Sequence, residues 1–203
     1  MKSLREQYET RFERALHPAE QRLLSLLSDH LKGVARIDRI SVRAKSVDRF
    51  LKKAEKTNSD GSKKYVDPIN QIQDQIGARV IVYYKGDVEA VSDQIEAYFR
   101  SIEEQEIIPD SAWEFGYFGK HYILLMPNEI RHAIKDAEDC LPEFFELQIK
   151  TLFQHAWSEA EHDLAYKPEL GELDEVELRK LAFTAAQAWG ADEIFEDLFQ
   201  GRK

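Results

Sequence analysis

Three groups of residues in this 203-residue chain have the types and spacing to act on a polyphosphate. The first is a pair of carboxylates, Asp74 just before the run Ile76 to Tyr84 and Glu146 within the run Phe144 to Thr151. If both runs are neighbouring strands, the two acids can share a Mg²⁺ ion, which takes oxygen ligands and keeps waters and substrate phosphates around it. Such an ion neutralises charge that builds on phosphate oxygens as a group transfers. In a chain with 38 Asp and Glu the pair can equally be ordinary surface charge. The second group is basic: Arg43 and Lys45 share one side of an extended segment, and Arg49 and Lys53 share one helical face. Arg offers phosphate a rigid fork and Lys a mobile point charge. The third is Phe115-Gly116-Tyr117-Phe118-Gly119-Lys120-His121. Its glycines let a ligand approach the backbone, and a Tyr ring can stack on a purine. An aromatic turn between strands would look the same.

The elements that must position these groups follow from periodicity. Phe144 to Thr151 alternates Phe145, Leu147 and Ile149 with Glu146, Gln148 and Lys150, the pattern of a strand with one buried face. Ile76 to Tyr84 is apolar on both faces and reads as an interior strand. Ala35 to Lys45 reads as a further strand, followed by a helix to about Lys56 capped by Ser46 or Asp48. Asn58 to Lys64 is a loop, expected to be a mobile flap, and Val66 to Gln73 a short helix or turn opened by Asp67-Pro68. An amphipathic helix over Asp87 to Ile102 precedes strands at Gln105 to Ile108 and His121 to Met126. Asn128 to Cys140 is a weak helix or an irregular connection. Leu152 to Tyr166 reads as a helix with His155, Glu159 and His162 on one face, an arrangement that could itself hold a metal. Helices over Leu4 to Ala15 and Ala19 to Leu31, divided at His17-Pro18, show only packing. After a break at Lys167 to Gly171, helices over Leu173 to Trp189 and Asp192 to Phe199 close the chain. This order predicts an α+β domain with a mixed sheet of four or five strands and helices before, between and after.

Composition narrows the function classes. A net charge of -10 argues against a protein that coats nucleic acid. The charge is uneven: Lys32 to Lys64 holds 11 Lys/Arg against 4 Asp/Glu, whereas Glu169 to Lys203 holds 9 acids against 4 bases. A basic island in an acidic chain suits a small, highly anionic ligand, and a solvated helix face gives the same count. Cys140 is the single cysteine, which excludes an internal disulfide and a Cys-based zinc site. No apolar run is long enough to span a membrane and the N-terminus lacks a signal-like segment, so a cytoplasmic location with no membrane partner is expected.

Taken in order, these signals resemble the synthetase domain of the RelA/SpoT family, over about Arg43 to Lys167. The resemblance rests on Arg43-x-Lys45 with Lys53, Asp74-x-x-Gly77-x-Arg79-Val80-Ile81, Gly116-Tyr117 with His121, and Glu146-x-Gln148-Ile149-Lys150-Thr151. The helix ending Trp157-x-x-x-Glu161-His162-x-x-x-Tyr166-Lys167 is similar to that of the small members. It implies a nucleotidyltransferase-like core over residues 35–167, with helical extensions over 1–34 and 168–203. The implied activity moves the β,γ-diphosphate of ATP to the 3′-hydroxyl of GDP or GTP, making the alarmone (p)ppGpp. On that reading Arg43, Lys45, Lys53 and Arg79 grip ATP, and Asp74 and Glu146 hold Mg²⁺. Glu146 also helps to deprotonate the acceptor, Tyr117 stacks on its base and His121 meets its phosphates. Lys120, Gln148 and His155 are further acceptor-side contacts, and the C-terminal helices offer a surface for a homo-oligomer.

The departures from the family pattern fall on the acceptor side. Gly119 stands where a Ser is usual, Arg49 stands where Ser is frequent, and the approach Glu106 to Glu114 is acidic instead of basic. Relatives that pyrophosphorylate the 3′ end of tRNA, or make adenosine alarmones, therefore remain alternatives, as does a nucleotide-binding domain without turnover. The residues before Arg43 are too few for the family's hydrolase domain, so no alarmone hydrolysis is expected.

Overall fold

The structure, a computed structural model, describes residues 2–107, 114–116, 119–165, 171 and 173–202. Its frame is a sheet of β1 (Ile37–Ala44), β2 (Ile76–Val82), β3 (Ser101–Ile107), β4 (Gly119–Leu125) and β5 (Phe144–Thr151). The strand order is β1-β2-β5-β4-β3. The central β5 runs parallel to β2 and antiparallel to β4, and both edges are closed by antiparallel pairs.

Register across the sheet sorts side chains by face. Val42, Ala78, Leu147 and Tyr122 form one cross-strand row, and Ile40, Val80, Ile149 and Lys120 the next. These rows, Lys120 apart, belong to the main core or, for Ile40, pack against it, with Leu23 and Leu27 of α2 (His17–Leu31) and Val91 and Ile95 of α5 (Lys85–Tyr98). Each such fully buried aliphatic side chain stabilises the fold by about 1.5–3 kcal/mol. The opposite face carries Arg43, Gly77, Glu146 and Ile123 in one row, and Ser41, Arg79, Gln148 and His121 in the other. One face of the sheet is core and the other is polar.

The N-terminal segment does more than pack. α1 (Leu4–Arg11), capped by Ser3 and Glu6, runs through a π-helical turn at Phe12–Leu16 into α2 without the break expected at His17-Pro18. Pro18 lacks an N–H and crowds the preceding turn; the wider turn, in which the His17 N–H bonds to Phe12 O, accommodates it. Tyr8 stacks on Phe50 of α3 (Val47–Ala54), with ring centroids 3.7 Å apart, and its hydroxyl donates to Lys45 O at 2.9 Å. Arg11 Nη1 donates to Ile69 O (3.0 Å) and Gln75 Oε1 (3.1 Å). Gln75 Nε2 in turn donates to the Ile69 and Ile72 carbonyls at 2.8 Å. These bonds hold the turn from α4 (Pro68–Gln71) to β2, which carries Asp74.

Other boundaries differ from expectation for local reasons. Phe99 takes extended geometry, so α5 ends at Tyr98 and β3 begins at Ser101. The Asn58 to Lys64 segment is not a loose flap: a Thr57–Lys63 bridge and an Asn58 N–H to Ser62 O bond of 2.8 Å close it, with Gly61 at a φ of 81°. Asn128 to Cys140 forms α6 (Asn128–Ala133) and a 3-10 segment, Lys135–Cys140. β5 leads directly into α7 (Leu152–Ala165). The two expected C-terminal helices are one, α8 (Glu175–Gln200), with Gly190 inside it. An interior glycine costs about 1 kcal/mol relative to Ala. Docking offsets it: Phe195 stacks on Phe153, Phe199 stacks on Tyr84, and Asp192 Oδ2 accepts from Thr151 Oγ1 at 2.7 Å. No helix among the described residues is long and apolar enough to cross a membrane.

The brace predicts that Arg11→Ala, which strips partners from Ile69 O and the buried Gln75 amide, destabilises the fold by about 2 kcal/mol. Urea unfolding measures this, and a loss below about 0.5 kcal/mol would show that the turn holds without Arg11.

Candidate active site

The polar face of the sheet is the floor of a cleft of about 720 Å³, walled by α7 on one side and by the segment carrying Asp74 on the other. Gly77 sits in its floor between Arg43 and Glu146. A Cβ there would meet nothing within 4 Å, so glycine leaves that part of the floor open.

Asp74 is held by two lysines: its Oδ2 accepts from Lys45 Nζ at 2.8 Å and Lys53 Nζ at 2.7 Å. Burial pushes the carboxyl pKa up, but the two ammonium groups outweigh it and hold Asp74 below the usual carboxylate value. Its Oδ1 is buried with no hydrogen-bond partner among the described residues. Glu146 Oε1 accepts from Gln148 Nε2 at 3.2 Å and lies 3.4 Å from His121 Nδ1. Burial again pushes upward, and His121 and Gln148 more than reverse it, so Glu146 is also held low. The Asp74 charge opposes ionisation of Glu146, which places the two carboxylates in each other's field.

The cations crowd one another. Burial lowers the pKa of Arg43, and the like charges of Arg49 and Arg79 lower it further. Arg79 Nη1 donates to Glu159 Oε1 at 2.7 Å and lies 3.5 Å from His155 Nδ1, both on α7. The His155 pKa falls through burial and then the Arg79 charge. Thus two of the three residues that could have formed a helix-borne metal site attend a guanidinium, while His162 lines the cleft. Partly buried guanidinium groups that repel one another form a site prepared for an anion of several charges.

A divalent cation fits this donor set. No cluster of three or more His, Cys, Asp or Glu among the described residues could hold one alone. Asp74 Oδ1, free of any described donor, and the ionised Glu146 supply two oxygen donors, leaving the remaining positions to water and substrate, as Mg²⁺ prefers.

Of the residues read from the sequence, Arg43, Lys45, Asp74, Arg79, His121, Glu146 and Gln148 all line the cleft. Lys53 joins them through Asp74, and His155 stands behind Arg79. Lys120 is not brought there. One residue out of phase with His121, it lies on the opposite face, 3.2 Å from Glu104, 3.7 Å from Glu89 and 3.8 Å from Glu96. Tyr117 falls outside the described residues. One participant was missed, and another, Lys150, was placed on the polar face of the strand without a role. Glu20 of α2 lines the cleft and accepts from the Ala44 N–H at 3.1 Å; no local pattern marks it. Lys150 is buried in the cleft wall, donates to Ser158 Oγ at 3.0 Å, and is pushed down to about 8 by burial and then Arg79. Its place two residues beyond Gln148 on the polar face was the available signal.

Residues 42–170 match the family described as the region found in RelA / SpoT proteins. GTP pyrophosphokinase YjbM of Bacillus subtilis (strain 168) is 26% identical over 145 residues, 70% of this chain and 63% of that protein. The chain thus aligns with less than two thirds of that curated relative. The small alarmone synthetase 1 of Bacillus subtilis bound to its product pppGpp superposes with a TM-score of 0.70, at 24% identity, over 94% of this chain and 97% of that one. The same enzyme bound to AMPCPP gives a TM-score of 0.64, at 22% identity, over 94% and 96%. At these identities the superpositions establish a shared fold.

The buried Lys150 amine predicts a pH signature. Its pKa is lowered in the folded chain, so between about pH 8 and the ordinary lysine value of 10.5 the unfolded chain binds more protons, and stability rises with pH. From about pH 7.5 to about pH 9.5 this contributes about 2 kcal/mol that Lys150→Met should abolish. Urea unfolding of both proteins at the two pH values measures it. An equal rise in the variant would show that Lys150 titrates normally.

Proposed function

The chain belongs to the RelA/SpoT family, and on that premise we propose that it transfers the β,γ-diphosphate of ATP to the 3′-hydroxyl of GDP or GTP. The observation that carries this reading is the pair of ionised carboxylates, one with a bare buried oxygen, facing a cluster of Arg43, Arg79, Lys45 and Lys53. The name of the curated relative and the two nucleotides bound by the superposed enzyme support the same chemistry.

Arg43 and Arg79 receive the triphosphate as forks and Lys45 and Lys53 as point charges. All of them act by exchange of partners. Glu159 yields Arg79 to phosphate, and the two lysines turn part of their donors from Asp74 to the ligand. Asp74 and Glu146 would hold Mg²⁺, which when bound neutralises charge across the phosphate oxygens. Glu146 takes the proton of the acceptor 3′-hydroxyl as its oxygen attacks the β-phosphorus; the bond from that phosphorus to the α,β-bridging oxygen breaks, and AMP leaves. His121, beside Glu146, contacts the acceptor phosphates. Gln148 directs its amide NH₂ to Glu146, which leaves Oε1 to accept from the acceptor. Tyr117 stacks on the acceptor base. His155 positions Arg79 instead of touching the acceptor. Most of the rate comes from alignment and charge, which this cleft supplies on rigid elements.

We also propose that α8 forms a homo-oligomer interface, because Val176, Leu178, Phe183, Ile194 and Leu198 expose large apolar surfaces along one helix.

Two measurements test these readings. With γ-labelled ATP, Mg²⁺ and, separately, GDP, GTP, ADP and deacylated tRNA, label should appear on guanine nucleotide, and Glu146→Gln should cut transfer by about 10²- to 10⁴-fold. Label on tRNA or ADP alone overturns the acceptor assignment, and no label at all favours a binding domain. Sedimentation at micromolar concentration should show a dimer or larger species that Phe183→Asp dissociates; a monomer disposes of the interface.

A further inference from the structure

A second cavity, of about 240 Å³, lies away from the cleft. It is bounded by the start of α5, the ends of β3 and β4, the first turns of α7 and the middle of α8. Lys150 faces the cleft, and its neighbour Thr151 holds Asp192, which lines the second cavity.

Its chemistry is specific. Asp192 is 2% exposed, and only one carboxylate oxygen is satisfied: Oδ2 accepts from Thr151, while Oδ1 has no partner among the described residues. A buried carboxylate oxygen without a donor is costly, and a charged donor is its strongest complement. Trp157 and Trp189 line the same cavity, and Ala185 and Ala188 leave space between them. Trp157 Nε1 donates to Thr184 Oγ1 at 3.0 Å, so that indole offers the cavity ring surface and no donor. Phe115 packs on Trp189 with centroids 5.8 Å apart.

The charges count toward a cation. Among the described residues, Lys85 and Lys120 line the cavity against Glu89, Glu106 and Asp192, an excess of one negative charge. Neither lysine is available to an anion: Lys85 is paired with Glu193, and Lys120 stands among Glu89, Glu96 and Glu104. Among the described residues, a phosphate or carboxylate ligand would meet no uncommitted cation there.

We propose that this cavity binds a small primary ammonium ion on a short apolar chain, an alkylamine or the end of a polyamine. A turn of the Asp192 side chain presents the oxygen that Thr151 does not use, which is shielded in this geometry, to accept its N–H, and Trp157 and Trp189 wall the cation and its methylenes. The aromatic faces favour a cation over a neutral alcohol of the same shape, and the bare carboxylate oxygen favours a primary over a quaternary ammonium. The inference does not rest on the synthetase reading, because binding is measured without turnover.

The test titrates the whole protein with n-butylammonium, n-butanol and tetramethylammonium, following tryptophan fluorescence, at constant ionic strength. The butylammonium ion should give a saturable change in the millimolar range, with n-butanol and tetramethylammonium at least about tenfold weaker. Asp192→Asn should weaken butylammonium at least about tenfold. Trp189→Ala, at a residue 43% exposed and therefore tolerant of truncation, should weaken it several-fold without loss of the folded signal. Burial pushes Asp192 up to about 6, against the pull of Thr151 and Lys85 and with the push of Glu193, so binding should also weaken as pH falls through that value. Equal binding of n-butanol would reduce the site to an apolar hole. No saturable change, or unchanged affinity in both variants, would overturn the proposal.

Discussion

The fold and the cleft both depend on the pairing register of β5. Its alternation sends Phe145, Leu147 and Ile149 into the core and presents Glu146, Gln148 and Lys150 to the other side. Because β5 is central, hydrogen-bonded to β2 and β4, a slip of one residue would turn three polar groups toward the core and three fully buried apolar side chains away from it. The register that maximises burial is therefore the register that aligns Glu146 with Gly77 and Arg43, and Gln148 with Arg79 and His121. Stability and site geometry are specified by the same alternation.

Charge on that polar face is held in balance by provisional partners. A half-buried acid without a cation would protonate, and a half-buried cation without an acid would be unstable there. Asp74 keeps Lys45 and Lys53 oriented, and Glu159 does so for Arg79. The contacts that stabilise the cleft are those a polyphosphate would rearrange. Their strength sets a limit on ligand affinity, since each ion pair opened must be matched by one formed. The Glu159 side chain, more exposed than Arg79, is the more easily displaced partner.

What could be read in the sequence was whatever rests on local alternation or spacing. β5, the interior β2 and the acid-and-base set followed from periodicity and ordered motifs, and these residues do converge. The error at Lys120 is instructive: proximity to His121 in sequence suggested a shared site, but in a strand adjacent residues point to opposite faces. The continuous helix through Pro18 was hidden because a π turn has no sequence signature comparable to a cap. The brace from Tyr8 and Arg11 was invisible for a different reason. Its hydrogen bonds link residues separated by 37 to 64 positions, and helix periodicity reports that a face is buried without reporting what it touches.

The same reasoning explains why the second cavity lies at the end of β5. Within the strand, Glu146 is answered by Gln148 and His121 on its own face, and Lys150 by Ser158 of α7. At Thr151 the ladder ends and α7 begins, so the buried hydroxyl must find its partner outside the sheet, and α8 supplies Asp192. A hydroxyl has one proton to give, whereas a carboxylate has two oxygens to satisfy. The contact that docks α8 therefore leaves one oxygen over by stoichiometry, and small alanines on the same helix keep space beside it. A Ser or Asn at position 192 would have matched Thr151 without that surplus.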